Sequence, residues 1–178
     1  MRRYEEKRGR PVKNYEQYLG RYLVFALLAL IQATVVGVGD LFFLHIQCDH
    51  PLLFMCACWA CAIVFSNIVY TFAVSFGEIG KALCIILLVM QVAGSGGEYP
   101  VQMMGAFFQA VYPFLPFTYG MHAMQEAVAG VYGMEYAYDL LRLAAFLLPS
   151  LFLGLAVRRP LIRAADFLSA KLEETGIM

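Results

Sequence analysis

The stretch "GKALCIILLVMQVAGSGGEYP" (residues 80–100) decides how this chain folds, because its apolar run ends in glycines before it is long enough to cross a membrane. As an α-helix, the apolar residues 82–93 reach only about 18 Å. The hydrocarbon core of a bilayer is about 30 Å thick. We therefore expect Gly94, Gly96 and Gly97 to lie at membrane depth rather than beyond the bilayer.

The composition of the whole chain is typical of an integral membrane protein. Of its 178 residues, 61% are hydrophobic and 15% are charged. Soluble domains carry about 25% charged and 45–50% apolar residues. The formal net charge is zero, which gives no reason to expect a nucleic-acid partner. We predict an all-α membrane protein whose principal surroundings are the lipid bilayer, with no cofactor.

Four apolar stretches predict four transmembrane helices within one membrane domain, residues 22–157. Each is separated from the next by a polar or glycine-rich segment, and about 20 apolar residues suffice to cross the hydrocarbon. The third apolar stretch is short, so its predicted span includes the glycines that follow it. The predicted spans are residues 22–44, 52–76, 82–97 and 139–157.

The distribution of Lys and Arg predicts the orientation. Seven of the 13 lie in residues 1–21 and four in residues 158–178, whereas residues 45–51 and 94–139 contain none. By the positive-inside rule both termini are cytoplasmic. Together with the four predicted spans, this orientation predicts a multi-pass protein of the cell membrane. The basic N-terminal segment, 1–21, also suits an interface helix.

The last segment, residues 158–178, has leucine and alanine at helical spacing with charged residues between them. This pattern predicts a cytoplasmic amphipathic helix on the inner leaflet, and the alternative is a frayed polar tail. Near the outer end of the last span, Asp139 and Arg142 are three residues apart and can pair along a helix.

Residues 103–133 predict an outward-facing re-entrant helical hairpin. The sequences "MMGAFFQAVY" (103–112) and "TYGMHAMQEAVAGVYG" (118–133) can each form a short helix. Pro113 and Pro116 between them force a change of direction. Irregular backbone survives at membrane depth only where it is packed in protein or lines a wet cavity.

This hairpin contains the candidate outer gate. Glu126 lies in an apolar helix, and an intramembrane acid is by default a functional hypothesis. His122 precedes it by four residues on the same face, so the two side chains form a tether, a proton relay or gate, or a pair of metal ligands. The candidate gate and cavity residues are Gly94, Ser95, Gly96, Gly97, Tyr99, Pro100, Pro113, Pro116, Thr118, Tyr119, His122 and Glu126.

Neither the cysteines nor the polar residues predict a metal site or an enzyme. Cys56, Cys58 and Cys61 lie in an apolar helix without neighbouring ligands and are typical of packing. The outer turn, residues 45–51, holds two histidines, a cysteine and an aspartate, and ordinary loop chemistry explains it. No serine–histidine–aspartate pattern or H-E-x-x-H motif is present.

Five motifs resemble one family: "GKA" (80–82), "MQVAGSGG" (90–97), "YP" (99–100), "PFLPFTY" (113–119) and "AMQEA" (123–127). Together they resemble the C-terminal membrane region of the phage-infection-protein (YhgE/Pip) family. That family lies within the type-2 ATP-binding-cassette (ABC-2) transporter permeases. The resemblance covers nearly the whole chain from about residue 10.

The resemblance implies an architecture and partners. Family members have six spans, carry a large extracellular domain between the first two, and occur largely in Gram-positive bacteria. This chain is similar to the last four spans, which implies a fragment, a truncated gene or half of a split system whose partner carries the missing spans and ectodomain. A homodimer or a heterodimer is expected by analogy. Gln125 stands where the family usually has a basic residue, which removes a local ion pair or leaves His122 to replace it.

Two functions follow from the resemblance. The first is a permease-like subunit of an export system, driven by an ATPase in trans because the chain has no phosphate-binding loop. Its cytoplasmic coupling turn would be Gly77, Glu78, Gly80 and Lys81. The alternative is a membrane anchor or receptor module without transport activity, which the shortness of this turn favours.

Overall fold

The computed structural model describes residues 14–97 and 100–157, and this part of the chain is helical without strands. The all-α prediction is therefore confirmed for these residues. The predictions for residues 1–13, for Tyr99 and for the amphipathic helix over 158–178 lie outside the described ranges. The α-helices are α1 (Asn14–Phe42), α2 (Pro51–Gly94), α3 (Ala106–Val111), α4 (Pro116–Ala129), α5 (Glu135–Ala145) and α6 (Leu147–Phe152). Short 3-10 turns occupy Val101–Met103 and Tyr112–Phe114, and a π-helical turn occupies Leu153–Val157.

Three helical stretches in the described part are long and apolar enough to cross a membrane: Tyr18–Phe42, Pro51–Gly94 and Glu135–Leu155. The first and last overlap the predicted spans 22–44 and 139–157. The predicted spans 52–76 and 82–97 instead lie within the single element α2, which has 44 residues. A straight helix of that length would measure about 66 Å, twice the hydrocarbon thickness.

The chain reverses inside α2 at Gly77. This residue has φ 59° and ψ −129°, a backbone conformation that glycine adopts without steric cost. A Cβ atom on Gly80 would overlap the carbonyl oxygen of Phe72. In a straight helix, residues eight positions apart would be separated by about 12 Å. Element α2 is therefore a helical hairpin, with arms α2a (residues 51–76) and α2b (residues 78–94).

Helix α1 runs antiparallel to α2a and is joined to it near both ends. The Tyr18 hydroxyl lies 2.6 Å from Thr71 Oγ1 at one end. The Trp59 indole donates a hydrogen bond of 2.9 Å to Thr34 Oγ1 towards the other end. Side-chain hydrogen bonds of this kind fix the register between apolar helices that have no hydrophobic preference for one another in lipid.

Helices α5 and α6 run alongside α2a in the same direction. The Tyr136 hydroxyl donates to the carbonyl of Leu53 at 2.8 Å. Fourteen residues further along both helices, Ser150 Oγ donates to Asn67 Oδ1 at 2.5 Å. The equal spacing of the two contacts shows that these helices keep a parallel register.

Helix α4 packs between α2a and α5 and closes the core. The buried core cluster consists of Phe54, Ala57, Cys58, Ala123, Ala127 and Tyr136. The carbonyl groups at the end of α4 would lack intrahelical partners. The amides of Asp49 and His50 donate to the carbonyls of Val128 and Ala127 at 3.3 and 3.1 Å. The connection between α1 and α2 thereby fastens the C-terminal end of α4.

Candidate functional site

Arm α2b ends part-way along the bundle, where the broken segment (residues 94–115) begins. A Cβ atom on Gly94 would lie 2.7 Å from the Leu115 side chain. The rings of Phe65 and Phe117 are 6.0 Å apart. Because Leu115 and Phe117 are two residues apart, Gly94 lies in the same region of the bundle as Phe65. The 17 residues of α2b extend about 25 Å, against about 39 Å for the 26 residues of α2a.

Two short helices follow this break, close to the positions predicted for the hairpin. Helix α3 covers Ala106–Val111 and α4 covers Pro116–Ala129, against the predicted 103–112 and 118–133. Pro113 lies in the 3-10 turn between them, and Pro116 begins α4, a position that needs no backbone N–H. Gly130, with φ 108°, ends α4, and it is one of the two glycines, with Gly133, at which the sequence predicted the helix to end.

A polar network joins the broken segment to α4 and α5. The Tyr112 hydroxyl lies 2.7 Å from His122 Nε2, and His122 Nδ1 lies 3.6 Å from Asp139 Oδ2. Arg142 Nη1 lies 3.3 Å from Asp139 Oδ1, and the Arg142 guanidinium lies 5.8 Å from the centre of the Tyr119 ring. These five residues, Tyr112, Tyr119, His122, Asp139 and Arg142, are the polar network.

Asp139 is the most deeply buried member of this network. It is 4% exposed, whereas the side chains of His122 and Arg142 are 41% and 59% exposed. Removing a carboxylate from water is costly unless it is paired, and the Arg142 guanidinium and the His122 ring beside it compensate for that cost. The predicted pairing of Asp139 with Arg142 is present, but its contact with His122 was not predicted.

Glu126 lies outside this chain of contacts. The two ring nitrogens of His122 face Tyr112 and Asp139, so the predicted His122–Glu126 tether is not formed. One carboxylate oxygen of Glu126 is buried without a hydrogen-bond partner among the described residues.

A cavity of about 510 Å³ opens beside Glu126 and the network. It has the size expected of a small-ligand site, and ionisable side chains from α4 and α5 face it. Its lining residues are His122, Gln125, Glu126, Ala129, Gly130, Glu135, Asp139 and Arg142. Within the described ranges, no three His, Cys, Asp or Glu side chains are grouped so as to hold a metal ion.

The remaining candidate gate residues serve the local turns. Ser95 is buried and its hydroxyl accepts a hydrogen bond from the Gly97 amide at 3.4 Å. Thr118, also buried, donates to the Tyr112 carbonyl at 3.3 Å, and the Tyr119 hydroxyl donates to the Pro113 carbonyl at 2.8 Å. Gly96 has φ 77°, and Pro100 precedes the first 3-10 turn.

The candidate coupling turn lies at the reversal of α2. Lys81 and Glu78 form an ion pair of 2.6 Å, and their side chains are 61% and 68% exposed. Gly77 adopts the backbone conformation of the reversal, and Gly80 allows the two arms to approach closely. The turn is consequently compact, and its charged side chains point away from the bundle.

Comparison with known proteins places these features in a family. The family model described as "ABC-2 family transporter protein" matches residues 9–156 of this chain. The chain belongs to the ABC-2 transporter family. The resemblance to the ABC-2 permeases inferred from the motifs is confirmed, and this ABC-2 protein is a multi-pass membrane protein.

One similar protein is the uncharacterized protein YhgE of Bacillus subtilis (strain 168). The two sequences are 25% identical over 125 residues, which cover 70% of this ABC-2 chain and 16% of YhgE. The resemblance to the YhgE/Pip membrane region is thereby confirmed. No solved structure matches the chain.

Proposed function

We propose that this chain is a permease-like subunit of an export system in which residues 94–133 form the outer gate. The observation that carries the proposal is the end of α2b at Gly94, part-way along the bundle, with the cavity and polar network directly beyond it. A broken helix at this level leaves backbone groups and polar side chains facing a space through which a substrate can pass.

The reversal at Gly77 supports four membrane crossings rather than three. Each arm of α2 then crosses or enters the bilayer separately, and both termini lie on the side that carries most of the Lys and Arg. Residues 94–133 would lie at the opposite face as a re-entrant hairpin. This arrangement leaves the Glu78–Lys81 turn on the cytoplasmic side.

In this proposal the polar network holds the gate closed. Helix α4 is held to α5 through His122 and Asp139, and to the broken segment through Tyr112. Separating α4 from α5 would leave Asp139 buried with Arg142 alone, so opening has an electrostatic cost. Binding of a substrate or a conformational change in the rest of the assembly would have to offset that cost.

An ATPase in trans would drive the opening through residues 77–81, in a homodimer or together with a partner that supplies further spans. The compactness of this turn favours the second candidate function, a membrane anchor or receptor module without transport. An ATPase that docks only here would contact few residues, whereas an anchor needs no docking element.

Cysteine labelling in intact cells tests both the topology and the choice between the two functions. Single cysteines at Gly105, Ala129 and Met134, in a background without the five native cysteines, should react with a membrane-impermeant maleimide before lysis. Lys81→Cys is the inner control and should react only after lysis. A cysteine at 105 or 129 that needed lysis would contradict the outer gate.

The same assay separates a permease from an anchor. Depleting the cells of ATP should change the labelling rate of a cysteine at Ala129, beside the cavity. In a permease that is coupled to ATP hydrolysis, the proportions of open and closed gate differ with and without ATP. Phe43→Cys, in the exposed connection between α1 and α2, is the matched control and should not change. Equal rates with and without ATP at both positions would favour the anchor.

A further inference from the structure

A second cavity, distinct from the one beside Glu126, is an apolar groove between α1 and α2a. It has a volume of about 830 Å³ and is open along one side. Met124 of α4 contributes to its lining, as do aromatic side chains such as Phe25 and Phe65. Phe65 also contacts Phe117 of the proposed gate, but no residue of the polar network lines this groove.

The groove exists because the two helices are held at both ends and carry small side chains between them. At one end the Tyr18 hydroxyl bonds to Thr71. At the other end Gly37 approaches so closely that a Cβ atom there would lie 2.7 Å from Met55 Sδ. Between these contacts, alanines such as Ala29 and Ala62 line the groove and leave the space between the helices unfilled.

An arginine lies in the lining of this otherwise apolar groove, at the end nearest the basic N-terminal segment. Arg21 is exposed and takes part in none of the ion pairs formed between described residues. Six further Lys and Arg residues precede it in the sequence. A positive charge in this position attracts an anionic headgroup at the membrane surface.

The length of the groove suits a lipid chain. From Arg21 to Val36, its lining on α1 extends about 22 Å, whereas one leaflet of the hydrocarbon core is about 15 Å deep. The groove therefore starts at the membrane surface and continues past the middle of the bilayer. Its walls are apolar over that length, apart from a few groups such as Gln32 and Ser66.

We propose that this groove is a binding site for an anionic phospholipid of the leaflet on the N-terminal side. The acyl chain lies between α1 and α2a, and the phosphate pairs with the Arg21 guanidinium, which is a strong phosphate donor. The lipid completes the packing of α1. The protein itself buries only 6% of the membrane-spanning part of this helix.

Native mass spectrometry of the purified full chain tests the proposal. The protein is reconstituted in vesicles of equal amounts of phosphatidylglycerol and phosphatidylcholine, then extracted in detergent, and the retained lipid is counted. We expect one phosphatidylglycerol per chain. Arg21→Gln should remove the preference for phosphatidylglycerol, and Ala29→Trp, which fills the groove, should remove the bound lipid.

The controls keep this outcome interpretable. Leu27→Trp places the same side chain at an exposed position of α1 outside the groove and should retain the lipid. Gln32→Trp fills the groove from an exposed position and should lose the lipid even if Ala29→Trp fails to fold. Equal retention of both lipids by the unaltered chain, equal retention by Leu27→Trp and Gln32→Trp, or a second protein chain in place of the lipid would overturn the proposal.

Discussion

Asp139 is the residue on which the polar network depends, because each of its carboxylate oxygens faces a different partner. Oδ1 faces Arg142 on the same helix, and Oδ2 faces His122 on α4. Breaking a buried pair by removing one partner leaves the remaining charges without compensation. The contact between α4 and α5 is therefore more sensitive to this position than to either of its two partners.

We expect Asp139→Asn to lower the free energy of unfolding by about 1–3 kcal/mol, because it removes the charged acceptor that faces both Arg142 and His122. Thermal unfolding of the purified protein in detergent measures the change. The matched control is Glu78→Gln, which breaks an ion pair of the same i, i+3 spacing at an exposed turn. There we expect a loss of about 0.5 kcal/mol or less, and losses of equal size would contradict the role given to the network.

At the scale of elements, the division of α2 into two arms determines what the chain can do in a membrane. The apolar sequence continues through the turn with only Glu78 and Lys81 to interrupt it. Helix propensity alone would allow a continuous helix, and the reversal depends on two glycines that permit an unusual backbone angle and a close approach. The level of Gly94, and hence of the whole broken segment, follows from this reversal.

Spin labels at the native Cys56 and at Val92→Cys, in a chain without the other cysteines, distinguish the two arrangements. Both positions are exposed. In a continuous helix the labelled residues would be about 54 Å apart. In the hairpin, adjacent helix axes are about 8–10 Å apart, and we expect a distance of roughly 20 Å by electron paramagnetic resonance. A distance near the longer value would remove the basis for four crossings.

At the scale of the whole molecule, Tyr18 connects parts of the chain that are far apart in the sequence. Its side chain is 1% exposed and bonds to Thr71 of α2a. It also packs so closely against Gly154 that a Cβ atom there would lie 2.6 Å from the hydroxyl. The first helix, the first arm of α2 and the last helical turn therefore meet at this one residue.

We expect Tyr18→Ala to lower the free energy of unfolding by about 3 kcal/mol, because it removes a buried aromatic ring and leaves a cavity. Leu23→Ala on the same helix is the control, since Leu23 is 71% exposed and its loss should have little effect. Thermal unfolding with and without added lipid measures both variants. A loss at Leu23 as large as that at Tyr18 would mean that α1 is held mainly by its exposed face.

The amino-acid sequence by itself determined the membrane class, the helical fold, the apolar runs and the interruptions at residues 94–97 and 113–116. These features depend on local composition and on the backbone limits of glycine and proline, and both act within a few residues. The motifs in the same region were also sufficient to indicate the ABC-2 family.

Only the tertiary structure decided which groups meet. His122 was expected to face Glu126, four residues away on its own helix, but it faces Asp139 on α5 and Tyr112 before α4. The groove beside Arg21 likewise depends on how helices distant in sequence pack together, whereas the reversal at Gly77 agrees with the turn predicted between the spans 52–76 and 82–97. Helical periodicity specifies which residues of one helix share a face. The partner of a residue on another helix depends on the register and the crossing angle of the two helices. No local sequence pattern contains that information.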